Sequence, residues 1–242
     1  NSSGTLGHYI MDHHFKIGAS GTVPGFEDTY YYGQRPNGIY IPRFRNMPGQ
    51  ESEVDFLRGY GYQGSAYREG WSRAIGEKGI GESLKENLRD PGQWRMALTA
   101  FCEMLPREDN YVELDDDETD EWDMPVLRFH VSMGENEEAM REDAKQQAAE
   151  MLKAAGGKDV STYESRYWPG EGIHEMGGAR MGRDPDTSVL NEWNQAHDVE
   201  NLFVTDGACM TSAACQNPSL TYMALTARAV DYATKEMKKG NL

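Results

Sequence analysis

Between Val131 and Gly157 the hydrophobic period of the chain changes, and that change limits the available folds more than any other feature. Before it, residues 97–102, 111–114 and 125–131 are short β-prone runs parted by polar segments, which predicts an antiparallel meander. After it, Met140, Ala144, Ala148, Met151, Leu152 and Ala155 fall on one face of a helical period running from Glu135 to about Ala155. Glu135, Glu137 and Glu138 suit the positive start of that helix, and Gly156-Gly157 supplies its stop. A helix with one apolar stripe has to lie on something, and the strands ahead of it provide a sheet. The predicted class is α/β, in detail an α+β unit with a mixed or antiparallel sheet backed by helices.

The flanking regions are read the same way. The first third, to about Pro91, is rich in Gly and Tyr, as in Tyr30-Tyr31-Tyr32-Gly33, and predicts short strands and long loops. Within it, Gly59-Tyr60-Gly61-Tyr62-Gln63-Gly64 has the G-x-G-x-x-G spacing of a dinucleotide fold, but the charged segment ahead of it is no buried parallel strand. A Tyr/Gly-rich loop is expected instead. The acidic run at 115–123 lacks the Gly and the final Glu of a calcium loop and reads as a solvated hairpin tip. Residues 201–205 read as a buried strand ending at the turn Asp206-Gly207. Asn217-Pro218 then opens a helix, with Asn217 suited to the N-cap and Pro218 to the first helical position. Leu220, Met223, Ala224, Leu225, Ala227 and Val230 make that helix apolar around most of its girth, so it is expected to be buried, with a solvated tail at Lys235, Lys238 and Lys239.

Charge excludes several function classes. With 24 Lys plus Arg against 40 Asp plus Glu, the net charge of -16 repels nucleic-acid phosphates and anionic lipid, so neither nucleic acid nor membrane insertion is expected. No run approaches the roughly 18 apolar residues of a membrane span, and the start has neither an initiator Met nor a signal-like apolar stretch. The chain is read as folded, soluble and excised or processed from something longer, and nothing in it separates cytoplasm from periplasm. Cys102, Cys209 and Cys215 do not make a disulfide scaffold or a zinc spacing and are expected as free or buried thiols.

Two segments carry chemistry: Ile173-His174-Glu175-Met176-Gly177-Gly178-Ala179-Arg180-Met181-Gly182, and the stretch from Asp206-Gly207 to Gln216-Asn217-Pro218-Ser219-Leu220-Thr221. His174-Glu175 starts the zincin pattern H-E-x-x-H, but Gly178 stands where the second His belongs, and no metal site is expected. His8, His13 and His14 cluster in sequence without a convincing metal-binding spacing, and a structural or surface role is expected of them. Histidine suits general-base work near neutral pH, and Gly177-Gly178 allows a flat ligand close to the backbone. Asn217 is open to two roles, as an amide donor to a substrate oxygen or as the cap of its own helix, and composition favours the cap.

These segments resemble the C-terminal half of the GMC (glucose-methanol-choline) flavoprotein oxidoreductases. The specific part is H-x-x-G-[GT]-x-R-M-G from His174 to Gly182, then N-L-[FY]-V-x-D-G ending at Gly207, then N-P-[ST]-L-T from Asn217 with an alanine-rich helix. The opening Leu6-Gly7-His8-Tyr9-Ile10-Met11-Asp12-His13 is similar to the family's L-G-x-N-L-M-D-H, with Tyr9 in place of the usual Asn. The segments at 104–110 and 123–125 look like strands of the substrate domain in bacterial sugar-oxidising members.

The resemblance implies FAD-linked oxidation of a CH–OH group. His174 stands at the catalytic His and Asn217 at its partner, while Asp206, Gly207, Ala208, Pro218 and Ser219 stand where the family meets the cofactor. It implies residues 1–18 as a remnant of the FAD domain, 19–165 as a substrate domain, and 166–242 as a C-terminal segment whose strand and helix complete the flavin domain. The family's Gly-rich ADP-binding unit has no counterpart here, so these residues are expected to bind FAD poorly without the missing half. The expected substrate is a sugar, sugar acid or glycoside, and the electron acceptor carries no sequence signal. The rival from another class is a noncatalytic carbohydrate-binding or interaction module.

Overall fold

The computed structural model describes all residues except 30–37, 50–53, 71–75, 77–79, 90–91 and 166–167. Tyr30-Tyr31-Tyr32-Gly33 and Pro91 lie outside the described residues. The elements run β1 (His14–Thr22), β2 (Ile39–Ile41), β3 (Tyr60–Arg68), α1 (Glu82–Arg89), β4 (Trp94–Cys102), β5 (Tyr111–Thr119), β6 (Pro125–His130), α2 (Glu135–Ala154), β7 (Lys158–Glu164) and α3 (Ser219–Lys239). Five strands form one sheet in the order β2-β3-β4-β1-β7, with every neighbour antiparallel. The fold is α+β with an antiparallel sheet.

The expected meander is divided. Residues 97–102 belong to β4 at the centre of the five-stranded sheet, whereas β5 and β6 form a separate two-stranded sheet that His8 meets through a bridge to Tyr111. The segment 104–110, expected as strand, is the irregular connection between them, and Asp123-Met124 sits at the hairpin turn. Chain reversal at a polar segment does not dictate which strand a run pairs with. β1, far earlier in the chain, takes the place beside β4. The acidic run does occupy the far end of the β5–β6 hairpin, where Asp115 accepts from the Asp117 and Glu118 backbone N–H groups and pairs with Arg128 at 2.5 Å.

The Gly59 to Gly64 segment expected as a loop is strand from Tyr60 onwards, as the start of β3. Tyr60 and Tyr62 alternate into the core, fully buried, with their hydroxyls donating to Asp143 Oδ2 at 2.5 Å and to the Ala144 carbonyl at 2.6 Å on α2. Arg45 completes the first contact with a two-pronged bond to Asp143. The period of two sends the intervening Gly61 and Gln63 to the opposite face, together with their cross-strand partners Phe101 and Thr99.

α2 covers the tyrosine face. Met140, Ala144, Ala148, Ala149 and Leu152 are buried against Ile17, Ala19, Leu98 and Ala100, and a fully buried Met or Leu contributes about 1.5–3 kcal/mol. Alanines at the contact let the helix axis approach the sheet. Glu137 holds the helix start by accepting from the Gly134 N–H at 2.8 Å and from the Leu105 N–H at 3.0 Å. The stop comes at Gly156, whose φ of 89° is left-handed, and Ala155, expected on the apolar face, is past the last turn and exposed.

Two C-terminal expectations are corrected. Residues 201–205 make no regular strand, and their β-pairing among the described residues is the bridge from Phe203 to Gln195. α3 is formed as expected, but Ala229 is its buried residue, while Leu220, Met223 and Val230 are 78%, 68% and 57% exposed. An apolar helix is buried only if something covers it, and the described chain covers only part of this one. No helix among the described residues is long and apolar enough to cross a membrane. The three cysteines are unbridged and buried.

Candidate active site

Four separate parts of the chain meet on the side of the sheet away from α2. His13 immediately precedes β1, Gln63 lies on β3, His174 follows β7 in an irregular segment, and Asn217 stands two residues before the start of α3. His174 Nδ1 is 2.8 Å from His13 Nδ1, and its Nε2 is 3.3 Å from Asn217 Nδ2. Gln63 Nε2 donates to Asn217 Oδ1 at 2.9 Å. The His13 and His174 rings meet edge to face, with centroids 4.8 Å apart.

The backbone aims His174. Met11 and Met176 exchange two hydrogen bonds of 2.7 and 2.9 Å, and Gly178 bonds to both Gly7 and His8. Gly177 and Ala179 donate to the carbonyls of Gly207 and Ala208, so the segment around 174–181 is held between the 7–13 and 207–209 stretches. Gly177 has a φ of 88°, and a Cβ there would stand 1.9 Å from the Tyr9 carbonyl oxygen, so the three stretches can stack only around a glycine. On the other side, Asp12 accepts from the His13, Gly170 and Gly172 N–H groups. Ile173, directly before His174, takes a left-handed φ of 52°, an outlier for a β-branched residue, with its N–H bonded to Glu175 Oε1.

The sequence-predicted residues fall into two groups. His174 and Asn217 are brought together, and Asn217 is not the helix cap that composition favours. α3 is capped at Pro218 with no side-chain bond, because the Asn217 amide is turned to His174 and Gln63. Asp206, Gly207 and Ala208 line a cavity of about 760 Å³ with Ile10, Met11, Gly177 and Tyr222, flanked by Ile173 and Glu175 on either side of His174. Asp206 caps the short 3-10 turn Gly207–Cys209 by accepting from the Ala208 N–H at 2.9 Å. Pro218 and Ser219 open α3 beside Asn217, outside the lining of that cavity.

The histidine cluster near the start needs dividing. His8 stacks on Tyr111 and bonds the Glu108 carbonyl, and His14 is buried with Nε2 on the Glu103 carbonyl, both structural as expected. His13 is not merely structural, since it touches His174. Burial holds its pKa below the ordinary histidine value, partly offset by its contact with the Ala214 carbonyl. Neither His13 nor Gln63 stood out in the sequence, and the one available signal was the Met11-Asp12-His13 end of the family-like opening.

The same opening explains Tyr9. It stands at a φ of 64°, a left-handed conformation that Asn, the residue usual in the resembling family, adopts far more readily. The Arg180 guanidinium lies over the Tyr9 ring at 3.9 Å, a contact that an Asn would not make.

A family model described as GMC oxidoreductase matches residues 106–226, half of the chain. The chain belongs to the GMC oxidoreductase family. It is 32% identical over 241 residues to 2-methyl-1,2-propanediol dehydrogenase of Mycolicibacterium austroafricanum, covering 97% of this chain and 43% of the relative. It is 28% identical over 240 residues to the fructose dehydrogenase large subunit of Gluconobacter japonicus, covering 99% and 43%. Among solved structures, a formate oxidase of Aspergillus oryzae superposes with a TM-score of 0.51 at 14% identity, over 97% of this chain and 48% of that one, which supports the fold. The chain thus spans less than half the length of these GMC relatives, whose names are those of alcohol and sugar oxidoreductases.

Proposed function

We propose that this chain is the substrate-side and C-terminal part of a longer FAD-dependent oxidoreductase that oxidises a CH–OH group of a sugar, sugar acid or glycoside. A bound alcohol would take the place of the Asn217 contact on His174 Nε2, which then accepts the hydroxyl proton, while Asn217 Nδ2 donates a hydrogen bond to the same oxygen and holds the carbon towards the oxidant. FAD, when bound, supplies that oxidant by accepting a hydride at N5. The observation that carries the reading is the convergence of His174 Nε2 and Asn217 Nδ2 at 3.3 Å, close enough for both to reach one oxygen atom.

The cofactor-side residues fit a flavin wall. Gly177 and Gly207 both line the cavity, and a Cβ at Gly207 would stand 2.3 Å from the Glu175 carbonyl oxygen, so glycine there lets the 207 turn pack closely on the segment that carries His174. Asp206, Gly207 and Ala208 would face the cofactor there. Pro218 and Ser219 open α3, whose N-terminal N–H groups would stabilise the negative charge of a reduced ring brought against them. The uncovered apolar face of α3, with Leu220, Met223 and Val230, is the seat for the remainder of the longer protein. Sugar-type substrates are supported by the fructose dehydrogenase relative and by a C-glycoside 3-oxidase of Arthrobacter globiformis, 31% identical over 144 residues.

The deciding experiment is the visible flavin spectrum of the full-length protein, mixed anaerobically with a panel of sugars, sugar acids, glycosides and simple diols. Bleaching by a sugar-type compound is the expected result, and bleaching only by a diol would move the substrate class to simple alcohols. A colourless protein that takes up no added FAD would replace the enzyme by a binding module.

A further inference from the structure

His13 Nε2 is in hydrogen-bond contact with the Ala214 carbonyl oxygen, and its Nδ1 faces His174 Nδ1 at 2.8 Å. A carbonyl oxygen only accepts, so His13 Nε2 carries a hydrogen. A neutral imidazole has one N–H, which leaves His13 Nδ1 as an acceptor, and the hydrogen between the two Nδ1 atoms belongs to His174. Neutral His174 then has Nε2 bare, and Nε2 is the atom facing Asn217 Nδ2. From the far end, the Gln63 amide donates to Asn217 Oδ1 and so turns the Asn217 NH2 group towards His174. The donors run one way, from Gln63 through Asn217, His174 and His13 to the Ala214 carbonyl.

We propose that His13 is a positioning residue that sets the tautomer of His174, with the Ala214 carbonyl as its fixed reference, so that Nε2 is the basic atom offered to the substrate. The inference rests on the reading of His174 as the base. Its geometry requires His13 to be neutral, and the surroundings agree: the ring is buried and lies edge-on to Phe101 at 6.4 Å. The facing charge is Asp12, whose carboxylate is bonded to the N–H groups of His13, Gly170 and Gly172. A charged His13 would donate from both nitrogens, force His174 Nδ1 to accept, and put a hydrogen on the atom that has to take one.

The test uses the full-length protein labelled with 15N-histidine, with the His174 ring signals assigned by their loss in His174→Asn. Long-range 1H–15N correlations distinguish the two neutral tautomers. The wild type is expected to show Nδ1–H, His13→Leu to lose that preference, and His13→Gln, which keeps one acceptor and one donor, to restore it. Substrate-driven flavin reduction is expected to fall about 10- to 100-fold in His13→Leu with KM little changed, and to recover in part in His13→Gln. An Nε2–H tautomer in the wild type, or an unchanged Nδ1–H tautomer in His13→Leu, would overturn the proposal. If His13→Leu does not fold, His13→Gln decides: Nδ1–H supports the proposal and Nε2–H overturns it. A tautomer that switches in His13→Leu while flavin reduction stays constant would uphold the role of His13 and instead remove His174 as base.

Discussion

Asn217 Nδ2 stands 3.3 Å from His174 Nε2, and Asn217 Oδ1 accepts from Gln63, so the amide is committed at both ends and contributes no bond to the helix it precedes. Asn217→Ala in the full-length enzyme is therefore expected to slow substrate-driven flavin reduction about 100-fold. Tm should move by less than about 2 °C, because a lost N-cap of about 1 kcal/mol would already shift a domain of this size by roughly 2–4 °C. Stopped-flow absorbance and calorimetry measure the two quantities. A drop of several degrees with unchanged reduction would return Asn217 to the role of a cap.

His174 does not itself line the cavity that its sequence neighbours Ile173 and Glu175 line, and it bonds to His13 and Asn217. His174→Ala is expected to cut flavin reduction by about 10²- to 10⁴-fold, the range of general-base contributions, while the full-length protein keeps its FAD. Absorbance after gel filtration reports the bound flavin. Loss of the flavin itself would make His174 a cofactor anchor.

His14 is fully buried, and that burial pushes its pKa down from 6.5 to about 3, against a smaller raising effect of its bond to the Glu103 carbonyl. Between pH 6.5 and about 3 the unfolded chain binds a proton at this residue that the native state refuses. Stability falls with falling pH across that window, by up to about 1.4 kcal/mol per pH unit. Glu103, whose carboxyl is pushed up by burial, acts in the opposite sense, so the comparison needs a variant. Denaturant unfolding at pH 7 and pH 5 should show a shallower acid loss in His14→Leu than in the wild type. Equal acid losses would show that His14 is solvated or charged in the folded protein.

Gly177 carries the stacking of three chain segments, with a φ of 88° and the Tyr9 carbonyl oxygen 1.9 Å from where a Cβ would be. Gly177→Ala combines a left-handed conformation costing about 1–3 kcal/mol with a collision against rigid backbone. It is expected to lower Tm by roughly 4 °C or more and to abolish flavin reduction, since His174 is three residues away on the same segment. A variant with wild-type Tm would mean that the stack can open without cost.

Local chemistry determined much of this protein from the sequence. The period around Met140 and Leu152, the acidic first turn and Gly156 define α2 without tertiary help, because a helix with those signals has one face to bury and two defined ends. The pairing of His174 with Asn217 is implied by the resemblance to the GMC family, whereas the residues alone favour Asn217 as a cap. What the linear chain does not encode locally is which distant groups share a surface. The Gly59 to Gly64 run has turn-like glycines, and it is pairing with β2 and β4, with Tyr60 and Tyr62 anchored on Asp143 and Ala144, that makes a strand delivering Gln63 to the site. The cap expected of Asn217 lost to a partner 43 residues away, and the exposure of α3 follows from what covers it, not from its own residues. His13 is the clearest case: 161 residues separate it from His174, and a hydrogen bond between two ring nitrogens exists only once β1 and the loop after β7 have been brought together.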